Sequence, residues 1–426
     1  MQKGWKKIGL SLVAVSLSLV LLASACIPQV AKAGPEKEKV LKVGIQGILT
    51  GPLATAGVPI TYGCIDSLRY INEQGGINGV KIGIEWEDSR EEVPRVIMAH
   101  KRFKQKGVVV EWGTIAATFE TLAMLCPKDE IPSMIYDAFT PLGWTEPVRW
   151  LFGIAPSWDT VAVTIGGWII KKWAEEHPDR PVRIGAIRWD DPAARNMVAG
   201  LAENVPRLGG EFVGIEVLPK FGVIDTSTEW LRMMTKEPDW VYLHTFGSGM
   251  VVLVKDGVRL GCREKGIQLF GGTACVEESH ARVMGEAAEG LYTALVSGVS
   301  SMAAELPGMK PPLEAAAKYR GYKPEEVSLL YIAAWTTSMI IAEALRIAIE
   351  KVGYENVTGP VVRDALANIK NFDTGLMPDL VTMSDKKPWA QDSGWIFVIK
   401  EGRLWYVDEA PLDWYPEWLR QKIGLE

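Results

Sequence analysis

Histidine is scarce in this chain, with only His100, His177, His244 and His280 among 426 residues. His100 and His177 fall on helical faces that read as solvated. His244 ends a strand, where ligands of α/β proteins gather, and reads first as a structural residue. Cysteine is nearly as rare: five residues, none at the CxxC spacing of a zinc site. Cys64 and Cys126 lie in helical patterns and are expected in the core. Cys262 and Cys275 flank REKGIQLFGGTA; they either close a short loop, worth about 3 kcal/mol, or stand as two separate buried thiols.

Catalytic signatures are missing as well. The loop Gly44–Gly57 sits where a dinucleotide fingerprint would follow a first strand, but its glycines do not fit GxGxxG, and no GK[ST] marks a phosphate loop. FGSGM at 246–250 misses the GxSxG elbow by one residue. The paired acids Asp190-Asp191 and Glu277-Glu278 read as charges at helix N-termini, favourable to the dipole. Nothing assembles a nucleophile, a base and an oxyanion hole, so the chain is not expected to be an enzyme or to hold a metal or cofactor. Basic excess is absent too. With 46 Lys and Arg against 52 Asp and Glu, the net charge is −6, which argues against a nucleic-acid binder.

What is present begins with the N-terminus. Lys3, Lys6 and Lys7 precede the apolar, small-residue run Ile8–Ala25 and then Leu22-Ala-Ser-Ala-Cys26. This is an export signal, and a small residue before cysteine resembles a lipoprotein signal. Residues 1–25 are then removed, Cys26 is lipidated, and 26–39 form a polar tether. Two other outcomes fit the same residues: ordinary cleavage at Ala31-Lys-Ala33, and an uncleaved membrane anchor. No later apolar run of that length is free of charges, so the remainder is expected to be soluble.

From Val40 onward, strand and helix patterns alternate. Strands are expected at Val40–Ile45, Lys81–Trp86, Val108–Glu111, Ser133–Tyr136, Arg183–Arg188, Glu211–Pro219, Trp240–Thr245 and Gln268–Gly271. Intervening helices include Thr61–Gln74, stopped by Gly75-Gly76, and Pro192–Arg207, with Asp191 as N-cap and proline at its first position. Thr226-Ser-Thr-Glu229 reads as a capping box. A long helix, Glu325–Lys351, comes late, and Glu401-Gly402 joins two alternating strands as a hairpin. This rhythm means parallel sheets covered by helices on both faces, an α/β class. The length of 426 residues favours two lobes.

The phrases LKVGIQGILTGPLATAG, RYINEQGGINGVKIGIEWEDS, PDWVYLHTF and EAAEGLYTA, in this order and spacing, resemble the branched-chain amino-acid type of ABC-importer binding protein, from about Val40 to Asp408. The resemblance implies a type I periplasmic-binding fold: two doubly wound α/β lobes, a three-strand hinge and a ligand cleft. Lobe one is expected at 40–155 plus 296–374, lobe two at 156–295 plus 375–410, and a C-terminal tail at 411–426. The hinge crossings fall near Ile154–Pro156, Leu291–Gly298 and Thr374–Pro378. The resemblance also implies a receptor outside the cytoplasm, lipid-anchored or periplasmic, that delivers solute to the permease and ATPase subunits of an importer. An extracellular sensor for a signalling partner is the alternative.

Site residues carry over one by one. In Gly113-Thr-Ile-Ala-Ala-Thr-Phe119, Ala117 takes the place of the family's carboxylate-binding serine and leaves Thr118 and backbone N–H groups. In the next contact segment, Asp137, Ala138, Phe139 and Thr140, either Phe139 or Thr140 falls on the family's threonine. Ala193 or Ala194 replaces a stacking tyrosine, whereas Phe246 keeps an aromatic. Thr273 stands where the family pairs an acid with the ligand's ammonium, and Asp137 or Asp191 are the substitutes in reach. These departures point to a less polar ligand than leucine: an organic acid or amide with an apolar or aromatic body. Trp112, Trp144, Trp158 and Trp189 lie near the expected cleft loops as candidates for a pocket floor.

Overall fold

The computed structural model describes residues 38–113, 116–136, 150–273, 275–295 and 297–411. Cys26, Asp137, Ala138, Phe139, Thr140 and Trp144 lie outside the described residues, as does the side chain of Ala117.

Two sheets organise the chain. The first has the order β2-β1-β3-β4-β5, with β1 Val40–Gly47, β2 Lys81–Asp88, β3 Val108–Gly113, β4 Ser133–Ile135 and β5 Leu151–Gly153, all parallel. The second has the order β12-β11-β10-β9-β8-β6-β7. Its parallel part is β6 Arg183–Trp189, β7 Glu211–Leu218, β8 Trp240–His244, β9 Gln268–Gly271 and β10 Leu291–Leu295. The hairpin β11 Ser393–Lys400 and β12 Arg403–Pro411 adds two antiparallel strands. The central strands β3 (VVVEWG) and β8 (WVYLH) are buried at every residue, as mainly apolar strands in a doubly covered parallel sheet are. This is the type I periplasmic-binding architecture, α/β with parallel-sheet lobes.

The chain passes between the sheets three times: after β5, after β10, and over residues 367–392 ahead of β11. These passages bond to one another. The Gly153 N–H donates to Pro388 O at 2.9 Å, Gln391 N–H to Ile154 O at 2.9 Å, and Gly298 N–H to Leu376 O at 2.8 Å. Leu329–Val352, the longest helix of the first half, is apolar enough to cross a membrane, but it packs against the helix Ala54–Glu73. Their contact is intimate because Gly63 has no side chain: a Cβ there would lie 2.3 Å from Tyr331 O.

Several expectations are corrected. The first helix begins at Ala54 rather than Thr61, so Gly57 lies inside it. Gly57 serves close approach there, since a Cβ would meet Ile48 at 2.4 Å. The long late helix starts at Leu329, with Ser328 as its cap. No capping box forms at Thr226; its hydroxyl donates to Asp256 at 3.0 Å instead. Cys262 and Cys275 are buried and form no disulfide, which selects the reading of separate thiols. His100 is fully buried rather than solvated, with Glu111 and Asp129 within ion-pair distance of its ring from two other elements. The Asp191 cap is present: its side chain accepts from Ala193 N–H at 2.9 Å.

Candidate functional site

Each sheet has one place where the strand order reverses, between β1 and β3 in the first and between β6 and β8 in the second. Ligands of open α/β sheets bind outside the carboxyl ends of strands at such points. A cavity of about 130 Å³ joins the two. Pro52, Leu53, Thr55 and Ala56, after β1, close it from the first half together with Leu330. From the second half come Trp189 at the end of β6, Lys220 and Phe221 after β7, Thr245 to Gly249 after β8, and Glu277 and His280 after β9.

Rings form one wall. The Trp189 and Phe246 centroids are 5.5 Å apart and tilted, and Phe221 meets Trp189 edge-on at 6.2 Å. The Lys220 ammonium lies 5.7 Å from the Trp189 centroid and 5.6 Å from that of Phe221, in cation–π range. It is held there by Asp191 at 2.8 Å. Gly247 lets the β8 loop approach the first half. Its backbone (φ 59, ψ −131) suits only glycine, and a Cβ would lie 4.0 Å from the Thr55 methyl.

Behind the rings lie buried polar atoms without partners. Trp158 Nε1, Trp189 Nε1 and His244 Nε2 make no hydrogen bond. The Tyr242 hydroxyl meets His244 Nδ1 at 2.8 Å, and Trp158 packs edge-on against the imidazole at 6.3 Å. Burial drives the His244 pKa down to about 4, so the ring is neutral at pH 7. It supports the wall from below.

The expected site residues are only partly brought together. Phe246 lines the cavity. Asp191 stands beside it but is already engaged by its helix N-terminus and Lys220. Thr118 is buried, with its N–H and hydroxyl donating to Glu91 at 2.7 and 2.5 Å. Thr273 lies in a separate hollow of about 20 Å³ with Thr164 and Gln391. Ala193 and Ala194 are core residues of their helix. Among the lining residues that the sequence reading did not assign to a site are Lys220, Phe221, Glu277 and His280. Lys220 and Phe221 follow the carboxyl end of a strand, and that rule alone would have found them. Glu277 was read as a helix-start charge, but its side chain makes no cap bond.

Comparison with known proteins adds three likenesses. The family described as periplasmic binding protein matches residues 40–403. A Leu/Ile/Val-binding protein from Citrobacter freundii is 22% identical over 357 residues, covering 79% of this chain and 90% of the relative. Among solved structures, a branched-chain amino acid ABC transporter protein from Thermus thermophilus with bound valine superposes with a TM-score of 0.80 at 18% identity, covering 90% of this chain and 98% of that one. A solute-binding protein of an ABC transporter from R. palustris, in complex with benzoate, superposes with a TM-score of 0.70 at 18% identity, covering 87% and 96%.

Proposed function

The chain belongs to the periplasmic binding protein family, and from that premise we propose that it captures a small solute between its two α/β halves and delivers it to an ABC importer. The observation that carries this reading is the cavity itself. It lies at the switch points of both sheets and is closed by the loop after β1 on one side and by the rings of Trp189 and Phe246 on the other. Lobe one comprises 40–155 with 296–374, and lobe two 156–295 with 375–410. The three passages between the sheets act as the hinge, and closure adds contacts to the solute from both sides. Residues 1–25 direct export, and Cys26 carries lipid that tethers the receptor outside the cytoplasmic membrane. Permease and ATPase subunits receive the solute. Relatives of this fold hold valine and benzoate, which sets the scale of the solute.

The test is a thermal-shift screen of small amino acids, organic acids and amides on protein unfolded and refolded to remove bound solute. A true ligand at 100 times its Kd adds about 2.7 kcal/mol of stability, and solution scattering shows a smaller radius of gyration with it. If no solute shifts the transition, and mass spectrometry of the natively purified protein finds none bound, the receptor reading fails.

A further inference from the structure

Thr273 follows β9 and is buried, and its Oγ1 makes no hydrogen bond among the described residues. A buried hydroxyl left unpaired is destabilising, and folded chains satisfy most such atoms with protein groups or ordered water. Thr273 lines a hollow of about 20 Å³ away from the cavity of the cleft. Two other polar side chains line it: Thr164 of the helix Trp158–Glu176, and Gln391. Thr164 donates its hydroxyl proton to Thr160 O at 3.3 Å and keeps its lone pairs. Gln391 Nε2 donates to Ser393 O and has a second proton. The Thr273 hydroxyl can donate or accept. The remaining wall is apolar, with Val161, Ile165 and Ile396.

The hollow lies at the hinge. Leu295, on its wall, ends β10, where the second passage leaves the sheet. Gln391 belongs to the third passage, and its N–H donates to Ile154 O of the first at 2.9 Å. Gly394 stands at the start of β11, where the third passage enters the sheet. The hollow thus touches two of the three passages directly and the remaining one through a single bond. An ordered water needs about 10–15 Å³ of such space and roughly two to four polar partners. This hollow of about 20 Å³ has room for a single water and for no larger solute, and its three polar residues meet the need for partners.

We propose that the hollow binds one structural water, held by Thr273 and shared with Thr164 and Gln391, and that the hinge turns on this water. A water suits a moving joint because it reorients and exchanges partners as the passages shift. A side chain fills the same space only in a few fixed rotamers. Thr273, which the resemblance places at the solute, is thereby assigned to the hinge, and its role does not depend on which solute the cleft takes.

Two substitutions test this. Thr273→Val keeps the shape and removes the hydroxyl. With a water bound, the variant deprives it of a partner, and the folding equilibrium constant from urea unfolding is expected to fall about fivefold. In a dry hollow the same change removes an unpaired hydroxyl, and that constant rises. Gly394→Ala fills the hollow instead: its Cβ would stand 3.4 Å from Gln391 Nε2 and 3.9 Å from Leu295 O, in ordinary contact. Oxygen-17 magnetic relaxation dispersion counts long-lived internal waters, and the parent is expected to hold about one more than Gly394→Ala. Fluorescence energy transfer between a dye on each half reads the hinge, and Gly394→Ala is expected to narrow the spread of distances between them. An equal water count, or a Thr273→Val protein more stable than the parent, overturns the water site. An unchanged spread of distances overturns its part in the hinge.

Discussion

Replacing His100 with glutamine is expected to destabilise the first half strongly, and more at pH 6 than at pH 9. His100 lies on the helix Val93–Lys106 and is fully buried. Its Nδ1 faces Glu111 Oε1 at 2.6 Å and its Nε2 faces Asp129 Oδ2 at 2.9 Å. A carboxylate stands within ion-pair distance of each ring nitrogen, which favours the imidazolium over the neutral ring. Burial alone lowers its pKa, but the bonds and charges of Glu111 and then Asp129 reverse this and leave it raised. The stability it contributes is therefore fully present below the unfolded value of about 6.5 and is lost as pH rises through the higher folded value. Glu111 is wholly buried, and its other partner is Gln46 at 3.2 Å; Asp129 keeps Lys104 at 2.6 Å. His100→Gln thus strands chiefly Glu111, a loss of about 3–5 kcal/mol for one partner of a buried pair. Urea unfolding followed by circular dichroism at pH 6 and pH 9 measures it. A gap below about 1 kcal/mol at pH 6, or one that widens at pH 9, refutes the imidazolium.

Two further outcomes follow from packing. Arg320 holds the buried Asp66 with two bonds of 2.7 Å and lies 3.6 Å from the Tyr62 ring centroid. Arg320→Ala is expected to cost about 3–5 kcal/mol in denaturant unfolding, and Arg320→Lys to recover only part of it, since lysine cannot bond as a fork. Gly257→Ala would place a Cβ 2.5 Å from the Trp230 ring, which is fully buried and fixed by its bond to Leu253 O at 2.7 Å. Overpacking of about 1–3 kcal/mol then outweighs the helix preference for alanine of about 1 kcal/mol, and a lowered unfolding midpoint checks it.

The parts legible in the sequence are those whose cause lies within a few residues. Strand β8 is announced by its own apolar run, the helix start at Asp191 by a cap next to a proline, and the last hairpin by Glu401-Gly402. The illegible parts are pairings between distant residues. Thr118 is held by Glu91 across 27 positions, Thr226 by Asp256 across 30, and His100 by Asp129 across 29. Each polar side chain carries the same local signal whether it faces water or a buried partner. His100 therefore reads as solvated, and Thr226 as a cap.

The same distinction explains why the cavity's position was readable and its chemistry was not. Position follows from strand order, and strand order from the βα rhythm, so the loop after β1 and Phe246 after β8 were found. Chemistry depends on where loop side chains turn. Glu277 and Asp191 carry identical sequence signals, each an acid immediately before a helix. Asp191 folds back onto Ala193 N–H, as that signal implies. Glu277 makes no cap bond to its own helix and lines a hollow shared with Ser328 and Leu329 of the other half. A cavity between two halves is therefore the place where local reading fails first, because its polar groups take their partners from the opposite half.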